Sequence, residues 1–230
     1  MDSTAKISYK INYSRRHTIS IVVSPANGVI VKAPYHVPVK TIEKFVNEKS
    51  DWINKTIGKF SSLIRVDKKD GYVDGDQILL FGKNHKLVLT EGNNYSVNLG
   101  QDETIMITYH HDKNPLLIKS LLEDWFKYIA RQKLGISFRE MLIRYSRQGF
   151  SPSGFTVRKM KTRWGTCSSK GKIALSYDLV RLDKIFSEYV IVHELCHLQH
   201  HNHGQGFYRL LSELYPEWKQ VRDGLKRYIR

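Results

Sequence analysis

Residues 190–207 read VIVHELCHLQHHNHGQGF, and the spacing of His193, Glu194, His197 and His203 decides how the rest of the chain is read. If residues 190–201 are helical, His193 and His197 stand one turn apart on one face, where two neutral imidazoles can hold a single metal ion. Glu194 lies beside them, in the position of a general base for metal-assisted hydrolysis rather than of a ligand. A straight helix would carry His203 about 9 Å up the axis from His197 and turn it away from the pair. The spacing therefore predicts that the helix ends near His201 and folds back, with Asn202 and Gly204 as residues tolerant of left-handed backbone. His203 is the third ligand this reading prefers, with His200, His201 and Glu213 as alternatives. Three imidazoles and one open position make a catalytic metal pattern rather than a closed structural one.

A short motif of this kind arises by chance in roughly 2% of chains of such composition, so its surroundings matter. Val190, Ile191, Val192, Leu195, Cys196 and Leu198 make the segment apolar on nearly all sides. A helix apolar all round is buried, and ionisable groups on it need partners. That favours a metal site over satisfied core histidines.

The chain has 230 residues, 41% of them apolar and 26% charged, which suits an ordinary soluble protein of one or two domains. The opening MDSTAKISYK does not resemble a secretion signal, and no apolar run reaches the ~20 residues that span a bilayer. Two cysteines, Cys167 and Cys196, build no disulfide framework, so a cytoplasmic, reducing setting is expected. Cys196, inside the apolar segment, reads as packing. The net charge of +15 points to acidic partners, nucleic acid among them.

Residues 18–23 and 29–33 are β-branched runs around SPANG, a hairpin signal. After Pro38, apolar residues from Ile42 to Phe60 recur at helical spacing, and their stripe is expected to pack on the hairpin. Residues 61–76 read as a polar linker. Residues 77–81, 85–90, 95–99 and 104–108 then predict a small antiparallel sheet, which His110 and His111 follow as an exposed pair. Asn114 and Pro115 open a long helix that Gly135 is expected to bend or divide. Residues 156–160 and 172–176 read as two strands joined by KTRWGTCSSKG, Asp183 or Ser187 as the cap of the histidine helix, and residues 205–214 and 217–228 as two further helices. The fold class expected is α+β. A β-rich region with one long helix occupies residues 1–112, and a helical domain with a short hairpin or sheet beside the metal-site helix occupies residues 113–230. An extended strand there can offer its edge to a peptide.

Taken together, RKMKTRWGTCSSKGKIALSYDLVRL at 158–182, YVIVHELCHLQHHNHGQGFY at 189–208 and SRRHTISIVVSPANGVIVKAP at 14–34 closely resemble the YgjP-like family of metal-dependent hydrolases. The resemblance covers nearly the whole chain and lies most specifically in Trp164 to Cys167, His193 to His197 and Asn202 to Phe207. It implies a zincin-like fold, Zn2+ as cofactor, His193, His197 and His203 as metal ligands, Glu194 as general base, and a peptide or protein substrate. Around the metal helix the family is similar to SprT-like and Spartan-type proteases, which act on proteins crosslinked to DNA. The glycine of the related metzincins is absent from residues 198–202, and no Met follows Met160, so the bend and Met-turn of those enzymes do not carry over.

Between Met141 and Tyr177 there is no Asp or Glu, while Arg144, Arg147, Arg158, Lys159, Lys161, Arg163, Lys170 and Lys172 all occur. The run reads either as a positive rim beside the cleft or as the solvated side of two strands. Trp164 within it reads as a packed turn residue before a base-stacking one. Tyr177, Arg163, His200 and Tyr208 are the candidates for stabilising an oxyanion. Three functions compete on these residues: a zinc-dependent metallopeptidase, a DNA-associated protease recruited through the basic rim, and a non-catalytic binding module stapled by metal. No membrane partner is expected, and nothing specifies an oligomeric state.

Overall fold

The Asn27-Gly28 signal does connect two paired strands. In the computed structural model, which describes residues 7–24, 27–66 and 70–229, β1 (Tyr9–Ser14), β2 (Ser20–Ser24) and β3 (Gly28–Pro34) form one sheet in the order β1-β3-β2. β2 runs antiparallel to β3, with Ser24 opposite Gly28, and β1 adds on parallel. Pro25 and Ala26 of the turn lie outside the described residues, as do 67–69 of the linker and the first six residues. The helical pattern after Pro38 is two helices, α1 (Val39–Glu48) and α2 (Ser50–Gly58), broken at Lys49, whose φ of −103° and ψ of 9° leave the helical region. Ile42, Val46 and Ile53 from these helices bury against Val29, Val31 and Ala33, so period-two and period-3.6 patterns meet as expected.

This first unit ends at Leu63, and a second compact unit runs from Ile64 onward. The break falls in the tract 61–76 read as a linker, ahead of residue 112, where the expected N-terminal region ends. The reason is packing: β5 (Gln77–Leu80), β6 (Lys83–Glu91), β7 (Ser96–Leu99) and β8 (Thr104–Tyr109) supply Ile78, Leu80, Leu87, Ile105 and Ile107 to the same buried cluster as the helices that follow. β4 (Ile64–Arg65) precedes them. Their sheet is mixed rather than antiparallel, in the order β5-β6-β8-β7, because β8 pairs parallel to β6.

α3 (Pro115–Arg144) is a single 30-residue helix, capped by the Asn114 side chain, which accepts from the Leu116 amide at 2.8 Å. Its buried stripe, Ile118, Leu122, Phe126, Ala130, Leu134, Phe138 and Met141, runs unbroken past Gly135. Gly135 is itself buried in the continuous helix and does not divide it. Beyond α3 come β9 (Gly154–Arg158), β10 (Gly165–Cys167) and β11 (Lys172–Ser176), ordered β10-β11-β9. The connection read as a turn thus contributes β10, an edge strand antiparallel to β11, while β9 and β11 run parallel. α4 (Lys184–Cys196), α5 (Gln205–Leu214), α6 (Trp218–Leu225) and β12 (Tyr228–Ile229) complete the chain, with β12 parallel to β4. The architecture is α+β, with a small sheet beside the histidine helix. No helix among the described residues is long and apolar enough to cross a membrane.

Asp183, not Ser187, caps α4: its Oδ1 accepts from the Ile185 amide at 3.0 Å. Asp183→Ala should therefore lower stability by about 0.5–2 kcal/mol, seen as a lower denaturant midpoint, with Asp183→Asn close to wild type. Equal midpoints for all three proteins would show that the cap contributes nothing.

Candidate metal centre

α4 closes earlier than its apolar run suggests. Cys196 is its last residue and His197 its C-cap, after which the Leu198 amide donates to Leu195 O at 3.0 Å and the His200 amide to Cys196 O at 2.9 Å. The helix stops before His201, and the return uses no left-handed residue: neither Asn202 nor Gly204 has positive φ, and Gly204 sits at −80°, −173°. Asn202 acts through its side chain instead, its Oδ1 accepting from the Gly204 amide at 3.2 Å at the start of α5. A second glycine opens the path. A Cβ on Gly206 would lie 2.9 Å from Cε1 of His200, so the bare backbone there lets α5 begin directly against that ring.

This turn brings His193, His197 and His203 together, with one ligand nitrogen from each all within 4.8 Å of one another. Nε2 of His193 and Nε2 of His203 are 3.1 Å apart, close to the ~3.3 Å edge of a tetrahedron with bonds of about 2.0–2.1 Å. Nδ1 of His197 lies 2.9 Å from the carbonyl of His200, which can only accept, so Nδ1 carries the proton and Nε2 keeps its lone pair. Phe207, fully buried on the first turn of α5, packs its ring 5.0, 4.6 and 4.7 Å from the rings of His193, His197 and His203. It is the shared apolar floor of the three imidazoles, a role the sequence did not reveal.

Burial, then the neighbouring His197 and His203, push His193 down to about 3, and burial also lowers His197. Both rings are therefore neutral at pH 7, the form that ligates a metal. Among the described residues this is the one group of three such side chains that can hold an ion. His200, His201 and Glu213 are not part of it.

Glu194, only 6% exposed, faces β10. A Cβ on Gly165 would stand 2.7 Å from its Oε1 and 2.8 Å from Cγ1 of Val190, so the glycine of the WGTC segment is what admits the strand this close. Ser176 donates to Trp164 O and Ser168 to Lys172 O, so the alternation of an antiparallel pair turns the backbone groups of Gly165 and Cys167 to the open edge. There the backbone of Cys167 hydrogen-bonds Glu194. Burial pushes Glu194 up to about 8, against the pull of the Arg163 charge and of that bond. At neutral pH the carboxyl is held as the acid unless a further cation offsets its burial, and the adjacent imidazoles are where one fits.

These groups line a cleft of about 570 Å³. Arg163, Trp164, Tyr189, His201, Arg222 and Lys226 line it too. Of the oxyanion candidates only Arg163 is among the lining residues. Tyr177 is buried in the core with its hydroxyl pushed up to about 12, and Tyr208 stacks on Trp218 at 5.1 Å. Tyr189, one turn before His193, was not singled out, yet its ring lies 5.8 Å from that histidine. The eight cations of the basic run are all exposed, but Arg163 alone of them reaches the cleft, and Lys159 pairs with Glu123 at 2.9 Å. The other cations of the cleft come from α6, which the run could not announce. Cys196 is buried with its thiol pushed up to about 12, in keeping with packing.

The family model described as YgjP-like, metallopeptidase domain matches residues 17–228. No curated protein matches. Among solved structures, the metallopeptidase zymogen abylysin of Pyrococcus abyssi is 21% identical, with a TM-score of 0.36 over 42% of this chain and 99% of that one. The metallopeptidase zymogen jannalysin of Methanocaldococcus jannaschii is 23% identical, with a TM-score of 0.36 over 41% and 94%.

Gly165→Ala should push β10 off α4 and lower stability by about 1–3 kcal/mol. Gly154→Ala, whose added carbon meets nothing closer than 3.7 Å, should be nearly neutral. Matching denaturation midpoints for the two variants would contradict the close approach.

Proposed function

The chain belongs to the YgjP-like family of metallopeptidase domains, and on that basis we propose that it is a zinc-dependent peptidase working in the cytoplasm. His193, His197 and His203 are the ligands, and Glu194 is the general base. The observation that carries the proposal is the convergence of three ligand nitrogens within 4.8 Å in a cleft that Glu194 also lines. Imidazole nitrogens suit zinc, and a set of three leaves room for substrate. When bound, the ion supplies the Lewis acid that polarises the scissile carbonyl and acidifies the attacking water.

Glu194 takes the proton from that water and delivers it to the leaving amine. Arg163, the cation nearest in effect to Glu194, holds the carboxyl toward its ionised form and is the candidate to steady developing negative charge. The outward backbone groups of Gly165 pair with an extended peptide as an added strand, which positions the scissile bond without needing many side-chain pockets. Both cysteines are free thiols, compatible with a reducing compartment. The DNA-associated alternative draws little from the cleft, since a single residue of the basic run lines it. A purely structural metal would give no reason to bury Glu194 beside it.

Glu194→Gln should retain zinc and fold yet lose hydrolysis by about 10²–10⁴-fold, measured on a peptide library with wild type in parallel. An undiminished rate in the variant would remove the general base. His203→Ala should lose zinc far more readily than His200→Ala when dialysed against a chelator and assayed for metal content. The reverse order would reassign the third ligand.

A further inference from the structure

The α6 side of the cleft carries charge that the hydrolytic chemistry does not use. Arg222 on α6 and Lys226, its C-cap, line the cleft with Arg163. The single carboxylate lining it is Glu194. Lys226 is neutralised by Asp223, whose Oδ1 it reaches at 2.7 Å. The same Oδ1 stands 4.0 Å from Nε of Arg222, an ion-pair contact longer than a hydrogen bond. That Nε is buried and has no hydrogen-bond partner among the described residues. The guanidinium is nevertheless held in place, its Cζ 4.9 Å from the centre of the Trp218 ring. It lines the same cleft as Tyr189 and His193, so it sits beside the reacting region and not on a remote surface. A planar cation fixed by an aromatic ring in a cleft, with its side chain 39% exposed, is complementary to a carboxylate, which its guanidinium can hold through directed bonds.

We infer that Arg222 is a specificity-determining residue that binds a carboxylate of the peptide substrate on the α6 side of the cleft. This rests on the peptide-hydrolase reading and names the substrate class for it. The carboxylate has two sources, a glutamate or aspartate side chain near the scissile bond or the free C-terminus of the peptide. A peptide fits better than a nucleic-acid strand because the opposite wall is β10, whose outward amide and carbonyl groups match another backbone.

The test uses the full-length Glu194→Gln protein loaded with zinc, so that binding is read without turnover. Fluorescence anisotropy is measured with labelled alanine-based octapeptides blocked at both ends, with Glu, Gln or Lys walked through each position. A neutral octapeptide with a free C-terminus is compared with its amide. The expected result is a preference of roughly ten- to hundredfold for Glu over Gln at one position, or for the free C-terminus over the amide. The two arms distinguish the sources. The preference should vanish in Arg222→Gln and turn toward Lys in Arg222→Glu, a gain that an unfolded variant cannot produce. Equal binding of Glu, Gln and amide peptides, a preference that survives Arg222→Gln, or an Arg222-dependent affinity for oligothymidylate above that for every acidic peptide would overturn the inference. Wild type that binds acidic peptides through Arg222 but cleaves none of them would leave this site standing while refuting the hydrolase. Wild type that cleaves with no use of Arg222 does the opposite.

Discussion

The fold of the second unit turns on one conflict: α4 must be buried, yet it carries three groups that water would otherwise solvate. Val190, Ile191, Val192, Leu195 and Cys196 commit the helix to the interior, and Glu194 goes with them, while His193 is partly covered. Desolvation disfavours their charged forms, pushing Glu194 up and His193 down. Each polar atom on this helix must then find a partner nearby or remain costly. The elements around α4 can be understood as the supply of those partners. β10 brings the Cys167 backbone to Glu194, the turn after Cys196 brings the His200 carbonyl to His197, and the start of α5 follows the loop that brings His203 to His193. Nδ1 of His193 alone among these has no hydrogen-bond partner.

Close approach, more than side-chain chemistry, makes that supply possible. Beside the histidines and Glu194, Gly165 and Gly206 lack a side chain where one would collide, with Glu194 and with His200. Neither needs left-handed backbone, so the glycines serve by absence of volume and not by conformational freedom. Phe207 follows Gly206 directly and fills the space beneath the imidazoles. The short tract from residue 203 to 207 therefore contributes an imidazole, a clearance and an apolar floor within about one helical turn. Such density makes the site stiff, which suits a centre whose groups must hold fixed geometry.

The cleft is asymmetric as a result. One wall is a strand edge with outward backbone groups, the kind of edge to which an extended chain can add as another strand. Another is α6 and its C-cap, with Arg222 and Lys226 sharing the Asp223 carboxylate at 4.0 and 2.7 Å. Backbone groups and charge thus reach the cleft from different elements. The net charge of +15 gives a poor guide to this arrangement, because nearly all of the basic run before Tyr177 lies on exposed surface away from the cleft.

The sequence by itself determined what is local. The pairing of His193 with His197 follows from helical periodicity, the Asp183 cap and the Asn114 start from side chains that reach their own backbone, and the 18–34 hairpin from Asn-Gly between alternating runs. The α+β class and the motif-bearing helix were legible for the same reason. Only tertiary structure decided that β8 pairs parallel to β6, that a compact unit closes at Leu63, and that three residues of an apparent turn form the edge strand β10. It alone brought Tyr189 and Arg222 to the cleft and showed that Asn202 turns the chain by its side chain rather than by its backbone. Each of these depends on contacts between segments far apart in the chain or on space left by a missing side chain. Neither leaves a periodic trace in the order of residues.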